Sequence, residues 1–138
     1  MSIDDARIWI ARPTSDPARI RRFYIDGLGM SILYEGQTQV EDRRWELLMC
    51  GFKNASWHLE FTRSEPHAIV PSPTMEDLLV FYMGDLVSVA RVSTALEEHG
   101  GTVVCSDNPY WDDGGITVMD PDGYRLVLTA RTWGEVTE

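Results

Sequence analysis

Polar and apolar residues alternate at the start of the chain with a period of two, and the period then lengthens to that of a helix. The stretch RIWIAR, residues 7–12, shows the alternation typical of a strand. The following segment places Asp16 at an N-cap position, Pro17 at the first helical position and Gly29 at the end. The pattern therefore predicts a strand followed by a helix that ends at Gly29.

The second half of the chain repeats this order. A β-rich run, LLVFYM, covers residues 78–83, and Asp85 then precedes an apolar stripe at helical spacing that extends from Val89 to Leu96. Two glycines at 100–101 end the stripe. Three strand candidates follow each helix: SILYE, RRWELLMC and SWHLEFT in the first half, and TVVCS, ITVM and YRLVLT in the second.

Two βαβββ modules are the economical interpretation of this repeat. It predicts an α+β fold in which each helix is followed by three strands joined by short turns, unlike the alternation of a Rossmann series. We expect a single domain over 1–138, with module 1 at about 6–63 and module 2 at about 78–131. Residues 64–77 contain three prolines and form the predicted linker.

The last two strand candidates are separated by Asp120-Pro121-Asp122-Gly123. Proline presets the second position of a β-turn, and glycine is free to take a positive φ. The two aspartates are interpreted as turn formers that hydrogen-bond their own turn.

Composition narrows the functional classes. At 138 residues with 43% apolar residues, the chain is long enough for one ordinary globular domain. The formal net charge of -10 repels nucleic acid and anionic membranes, although it would attract a cationic ligand. No window approaches the ~18 apolar residues of a membrane span, and the acidic N-terminus is not typical of a signal peptide. We therefore expect a cytoplasmic protein without nucleic acid or membrane partners.

The two cysteines, Cys50 and Cys105, are far apart and belong to no CxxC motif or Cys/His cluster. Cytosolic disulfides are rare, so both are interpreted as reduced, partly buried thiols. No redox function follows from them.

Four motifs occur along the chain in this order: FYIDGLGM after the first helix, WHLEFT, NPYWD and DPDGYRL. On these motifs the chain resembles the vicinal oxygen chelate superfamily of glyoxalases, bleomycin-resistance proteins and ring-cleaving dioxygenases. The resemblance covers about Arg7 to Ala130 and is greatest to a small bacterial branch of glyoxalase-like proteins. It implies that each module forms half of a cup-shaped sheet, that a ligand lies on the concave face, and that two chains form a homodimer.

Catalytic members of the superfamily bind a metal at four equivalent positions, on the first and last strands of each module. The resemblance places these positions at Trp9, Glu60, Leu78 and Val127. Only Glu60 can bind a metal ion, and a catalytic site needs about three protein ligands. We therefore expect no catalytic metal and no cofactor, which also argues against glyoxalase, epimerase and ring-cleavage activities.

Strand alternation predicts which residues line the cup. The residues expected on the concave face are Trp9 with Arg7 and Ala11, His58 with Glu60, Leu78 with Val80 and Tyr82, and Arg125 with Val127. The residues expected to pack against the helices are Ile8, Ile10, Leu59, Phe61, Leu79, Phe81, Leu126 and Leu128.

The first set mixes aromatic and ionisable side chains, as ligand pockets usually do. We predict that Trp9, Tyr82 and Trp111 stack on a flat ligand, with Tyr110 beside Trp111 at the rim. The residues predicted to hydrogen-bond or pair with the ligand are His58, Glu60 and Arg125. Trp45 is a further candidate, since it shares one face of its strand with Leu47 and Met49, but alternation does not decide which face. Each tryptophan has an alternative role in the core or at a dimer interface.

Three hypotheses follow for the function. The first is a metal-independent homodimer that sequesters an aromatic natural product or antibiotic, as drug-resistance members of the family do. The second is a lyase or isomerase of another class that uses Glu60 as the base and His58 as its orienting partner. The third is an enzyme with an atypical metal site centred on the same two residues. Alternatively, Glu60 forms an ion pair with Arg125 or Arg7.

Overall fold

The computed structural model describes residues 1–134. It divides into two compact units, Met1–Pro71 and Ser72–Glu138. Each unit contains one four-stranded sheet with helical segments, and the two sheets have equivalent strand orders. The predicted repeat of two βαβββ modules in an α+β fold is thereby confirmed.

The first unit begins with a 3₁₀ turn at Ile3–Asp5. Its regular elements are β1 Ile8–Pro13, α1 Pro17–Arg21, a π-helical segment Arg22–Gly27, β2 Ser31–Val40, β3 Arg43–Gly51 and β4 Trp57–Glu65. The strand order is β1-β4-β3-β2, with β1 parallel to β4 and the other pairs antiparallel. The last strand extends two residues into the segment predicted as a linker.

The second unit has the same plan. Its elements are β5 Leu78–Tyr82, α2 Leu86–Glu98, β6 Thr102–Val104, a 3₁₀ turn Pro109–Asp112, β7 Gly115–Met119 and β8 Arg125–Thr129. The order is β5-β8-β7-β6, again with the first and last strands parallel. No helix of the described residues is long and apolar enough to cross a membrane.

Both helices begin at the predicted aspartates. The carboxylate of Asp16 accepts a hydrogen bond from the backbone N–H of Arg19 at 3.2 Å. Asp85 accepts one from the backbone N–H of Ser88 at 2.6 Å and a second from the Ser88 hydroxyl at 2.9 Å. Each cap satisfies N–H groups that have no partner within the helix.

The first helix differs from the prediction of one regular helix up to Gly29. Its α-helical part ends at Arg21, and a π-helical segment continues to Gly27. The consecutive residues Phe23 and Tyr24 are both fully buried. A regular α-helix would direct them about 100° apart, whereas the wider π turn accommodates both rings in the core.

The aromatic contact between Tyr24 and Phe61 assigns the two faces of the first sheet. The ring centroids lie 4.7 Å apart, so Phe61 and, by alternation, Leu59 point toward the helical segments. Both are buried. We call this side the helix face, and the opposite side, which carries His58 and Glu60, the Glu60 face.

Ile8 lies on the expected side of the sheet, but the expectation that it packs against the helices is wrong. Its register partner Trp57 places it on the helix face, but 55% of its surface is exposed. Strand β1 lies at the edge of the first sheet, where a side chain has a neighbouring strand on one side only.

The predicted turn joins β7 and β8. One carboxylate oxygen of Asp120 accepts hydrogen bonds from the backbone N–H groups of Asp122 and Tyr124 at 2.8 and 3.0 Å, and Gly123 has a φ of 97°. The assignment of Asp120 as a turn former is confirmed. In the adjoining strand β8, residues 126–128 are all fully buried, so burial does not distinguish the two faces there.

Candidate functional site

Strand register brings together the candidate residues of the first unit. Trp9 on β1 lies directly opposite His58 on β4, and Ala11 lies opposite Glu60. On the other side of β4, Met49 of β3 is also opposite Glu60. Residues that are directly paired point to the same side of a sheet, so all five side chains lie on the Glu60 face.

The rings of Trp9 and His58 are nearly parallel. Their planes differ by 17°, and their centroids lie 6.1 Å apart. Arg7 fixes the imidazole from one side, because its Nε donates to Nδ1 of His58 at 3.2 Å while its Nη1 donates to the carbonyl of Ala55 at 3.1 Å. When His58 is neutral, Nδ1 is thus the acceptor and Nε2 carries the proton.

Gly51 provides the space for His58. It lies opposite His58 on β3, and a Cβ at this position would lie 2.9 Å from the Cβ of His58. A larger residue would displace the imidazole from its present position.

Glu60 is a buried carboxylate. Only 5% of the residue is exposed, and Oε2 has no hydrogen-bond partner among the described residues. Burial raises the pKa of this carboxyl group above its ordinary value, because the charged form loses hydration. The pairing with Arg7 considered above does not occur, since that guanidinium contacts His58 and Ala55 instead.

The register also determines the orientation of Trp45. It lies opposite Ser64, and alternation along β3 and β4 therefore places it on the Glu60 face with Leu47 and Met49. Trp45 lies four residues along β3 from Met49, the residue opposite Glu60, which corresponds to a distance of about 13 Å. Its ring is already occupied by the guanidinium of Arg43, whose Cζ lies 4.8 Å from the ring centroid. Met49, rather than Trp45, is adjacent to Glu60.

In the second unit, Tyr82 and Arg125 belong to neighbouring parallel strands. Leu78 is opposite Arg125, so alternation along β5 places Tyr82 on the same face as the arginine. The guanidinium of Arg125 donates from Nη1 to the carbonyl of Cys105 at 3.2 Å. The ring of Tyr82 contacts that of Trp133 edge to face, with centroids 5.4 Å apart.

Tyr110 and Trp111 occupy the 3₁₀ turn before β7. Their rings are perpendicular, with centroids 5.0 Å apart. The Cζ of Arg131 lies 4.2 Å from the centroid of Tyr110, and the same guanidinium pairs with Asp113 at 3.3 Å. The hydroxyl of Tyr110 is buried and has no partner within residues 1–134. One face of Tyr110 is thus already taken by a cation, which leaves Trp111 as the more available ring.

Sequence reasoning missed some residues of these sites. It placed Arg7 on the cup wall without assigning it to His58, and it did not single out Gly51 or Met49. Their roles depend on register between β3 and β4, which alternation within one strand cannot provide. It also missed Trp133, although a tryptophan soon after the last strand is a visible signal.

The residues at the positions of the superfamily's metal ligands do not fit a metal. Trp9, Leu78 and Val127 have no side-chain atom that would bind a divalent cation, which leaves Glu60. Among the described residues, no group of three or more His, Cys, Asp or Glu side chains could hold a metal ion.

Comparison with known sequences supports both halves of the fold. A family model described as the YycE-like N-terminal domain matches residues 8–62, and one described as the YycE-like C-terminal domain matches residues 76–130. The chain is 40% identical over 127 residues to the uncharacterised protein YycE of Bacillus subtilis, which corresponds to 92% of this chain and 89% of the relative.

Solved structures give the same relationship. A crystal structure of Bacillus subtilis YycE is 39% identical with a TM-score of 0.83, covering 93% of this chain and 91% of that one; it is a protein of unknown function suggested to be a glyoxalase or fosfomycin resistance protein. Glyoxalase I of Leishmania major shares the fold at 20% identity and a TM-score of 0.66, covering 89% of this chain and 84% of the enzyme. TnmS3, an antibiotic binding protein from Streptomyces sp. CB03234, shares the fold at 22% identity and a TM-score of 0.62, covering 96% of this chain and 99% of TnmS3. The predicted vicinal oxygen chelate fold is confirmed.

Proposed function

We propose a binding function for this chain, which belongs to the YycE-like family and has the vicinal oxygen chelate fold. It binds a planar aromatic small molecule without a metal ion and sequesters it unchanged. The binding surface in the first unit is the Glu60 face around Trp9, His58 and Glu60. In the second unit, the proposed contributors are Tyr82, Trp111 and Arg125, with Tyr110 as a supporting residue. In the first unit, Trp45 is proposed as a supporting residue.

The observation that carries the proposal is the buried Oε2 of Glu60, which has no hydrogen-bond partner in the part of the chain that the structure describes. A buried carboxylate oxygen without a donor loses its hydration and gains nothing in return. A ligand that offers an N–H or O–H group to Oε2 would remove this cost. Glu60 thus favours ligands that carry a hydrogen-bond donor or a positive charge.

Trp9 supplies the aromatic part of the surface. Its ring packs on His58, and 54% of the residue is exposed. A flat ligand on this ring would gain about 1 kcal/mol from stacking beyond the area that it buries. Arg7 holds the imidazole that supports the indole, so little ordering is required when the ligand binds.

One structural relative supports sequestration, since TnmS3 is described as an antibiotic binding protein. The Bacillus subtilis relative is suggested to be a glyoxalase or a fosfomycin resistance protein, which does not favour sequestration over catalysis. We propose that this chain likewise protects against an aromatic antibiotic or natural product. Its two free cysteines suit the reducing cytoplasm, where we expect it to act.

The proposal includes pairing of two chains. Strand β2 lies at the edge of the first sheet, where exposed apolar side chains are typical of an interface. The exposed large apolar residues on this strand are Ile32, Leu33, Tyr34 and Val40.

Catalysis by Glu60 is the second candidate, and the raised pKa of its carboxyl group favours it. A base, however, needs an orienting partner, and no hydrogen bond joins Glu60 and His58 in the described part of the chain. Nδ1 of His58 is occupied by Arg7. The geometry therefore supports binding more than proton transfer.

Tryptophan fluorescence tests the proposal. A panel of planar aromatic compounds that are neutral, cationic or anionic is titrated into the protein, and each compound that quenches the signal is recovered and analysed by mass spectrometry. We expect cationic or donor-bearing compounds to bind most tightly and to be recovered with unchanged mass.

Two variants provide the controls. Glu60→Gln should weaken the best compound by roughly tenfold, the value of one charge-assisted hydrogen bond. Glu97→Gln, on the exposed surface of α2, should leave its affinity unchanged. Recovery of a chemically altered compound from the wild type, and of an intact one from Glu60→Gln, would favour catalysis instead.

A further inference from the structure

A separate cavity lies on the helix face of the first unit, on the opposite side of the sheet from Glu60. It has a volume of about 340 Å³ and lies between α1 and strands β2, β3 and β4. This is far more than a single water requires and falls within the range of small-molecule sites. None of the residues proposed above to bind the aromatic ligand lines this cavity.

The cavity lies beneath the first turn of α1, at Pro17 and Ala18, where side chains do not fill the space between the helix and the sheet. A helix rises less than half as far per residue as a strand, so the helical segments Pro17–Arg21 and Arg22–Gly27 cover only part of the ten-residue strand β2 and the nine-residue strand β3.

The lining is apolar at its base and acidic at its margin. Leu48 and Phe61 form a buried floor, with 5% and 2% of their surfaces exposed. At the margin, Arg21 pairs with Glu35 at 3.0 Å, which neutralises both charges. Glu46 is a second carboxylate in the lining, and it makes no hydrogen bond or ion pair within the described residues.

We propose that this cavity binds a small organic ammonium ion that carries an apolar group. The ammonium would pair with Glu46 and reach the Glu35 carboxylate, while the apolar group packs on Phe61 and Leu48. An anion is disfavoured because Arg21, the only cation in the lining among residues 1–134, is already paired with Glu35, and Glu46 leaves one net negative charge. The overall charge of -10 attracts cations in the same way. This site is independent of the proposed function, since it lies on the other face of the sheet.

The probe for the test is 2-phenylethylammonium, with 2-phenylethanol and 3-phenylpropionate as its neutral and anionic counterparts. Each is titrated into the full chain, and backbone amide shifts are followed by NMR. We expect 2-phenylethylammonium to shift the amides of residues 18–21, 35–37 and 46–48, and the two counterparts to bind more weakly. Amide shifts centred on Trp9 and Glu60, or none at any probe concentration, would overturn the proposal.

Two variants examine the chemistry of the site. Glu46→Gln should weaken 2-phenylethylammonium by about tenfold, as expected for the loss of one charged partner, with little effect on 2-phenylethanol. Glu97→Gln serves as the charge-matched control and should change nothing. Ala18→Phe, at an exposed position of α1, should fill the cavity and abolish the binding of 2-phenylethylammonium and of 2-phenylethanol. Equal binding to Glu46→Gln and to wild type would contradict the assignment of an ammonium site.

Discussion

The imidazole of His58 lies against the indole of Trp9, with ring centroids 6.1 Å apart and planes 17° apart. The two residues are register partners on parallel neighbouring strands, so the backbone of the sheet sets their distance. Parallel-displaced rings at this separation attract each other. The hydrogen bond from Arg7 then fixes the imidazole in its plane. An aromatic surface is thus formed before any ligand arrives.

Gly51→Ala should disturb this surface. Its new Cβ would lie 2.9 Å from the Cβ of His58, too close for an ordinary contact. We expect a loss of about 1 to 3 kcal/mol in the free energy of unfolding, as is typical of overpacking, and a weaker affinity for the aromatic ligand. Chemical denaturation and ligand titration measure the two effects. Ser56→Ala, at an exposed neighbouring position, is the control. Unchanged NMR signals of the His58 ring in Gly51→Ala would contradict the close approach.

Glu60 should make folding depend on pH. Its pKa is raised in the folded state, so the contribution of Glu60 is fully present below its ordinary pKa and is lost as the pH rises through the folded pKa. The Glu60→Gln variant keeps the shape of the side chain without the charge. We expect the variant to match wild type at about pH 4 and to exceed it by roughly 1 to 3 kcal/mol at about pH 8, measured by denaturant unfolding.

The opposite order at about pH 8, with Glu60→Gln less stable than wild type, would mean that the ionised carboxylate has a partner in the folded protein.

Asp85 should have the opposite dependence. The backbone N–H of Ser88 is the largest cause that holds the pKa of Asp85 below its ordinary value, followed by the Ser88 hydroxyl. The stability that it contributes is present above its ordinary pKa and is lost as the pH falls. Asp85→Ala should therefore lower the melting temperature at neutral pH, and the difference should shrink in acid. A difference that is independent of pH would show that the charge of the cap plays no part.

The two cysteines should react differently. Cys50 is buried, which raises the pKa of its thiol to about 12, whereas Cys105 is exposed. Because the thiolate is the reactive form, iodoacetamide should label Cys105 alone in the folded protein and both residues after denaturation. Intact mass spectrometry counts the additions. Rapid labelling of Cys50 in the folded state would indicate that the core around β3 opens readily.

Most of the fold could be predicted because local signals agree with the tertiary structure. Asp16 and Asp85 each precede a helix and cap it, and the glycine of the turn after β7 takes the positive φ that the turn requires. The π-helical segment could not be predicted in this way. It follows from packing Phe23 and Tyr24 against Phe61, a residue far away in the sequence.

The candidate site was predictable only in part. Alternation placed Trp9, His58 and Glu60 on one face of the first sheet, as the register shows. It could not orient Trp45, nor could it identify Met49 as the neighbour of Glu60, because both depend on how β3 pairs with β4. The cavity beneath α1 could not be predicted either, because it depends on how α1 packs over strands β2, β3 and β4.

Calorimetry with the tightest aromatic compound tests whether the protein binds its ligand without a metal ion. The protein is dialysed against EDTA, confirmed to be metal-free by elemental analysis, and titrated before and after one equivalent of Zn²⁺, Mn²⁺ or Fe²⁺ is added. We expect the same affinity in every case, because Glu60 is the sole ligand retained at the metal positions of the superfamily. An affinity that appears, or rises tenfold or more, only with one of these ions would mean that ligand binding requires a metal ion.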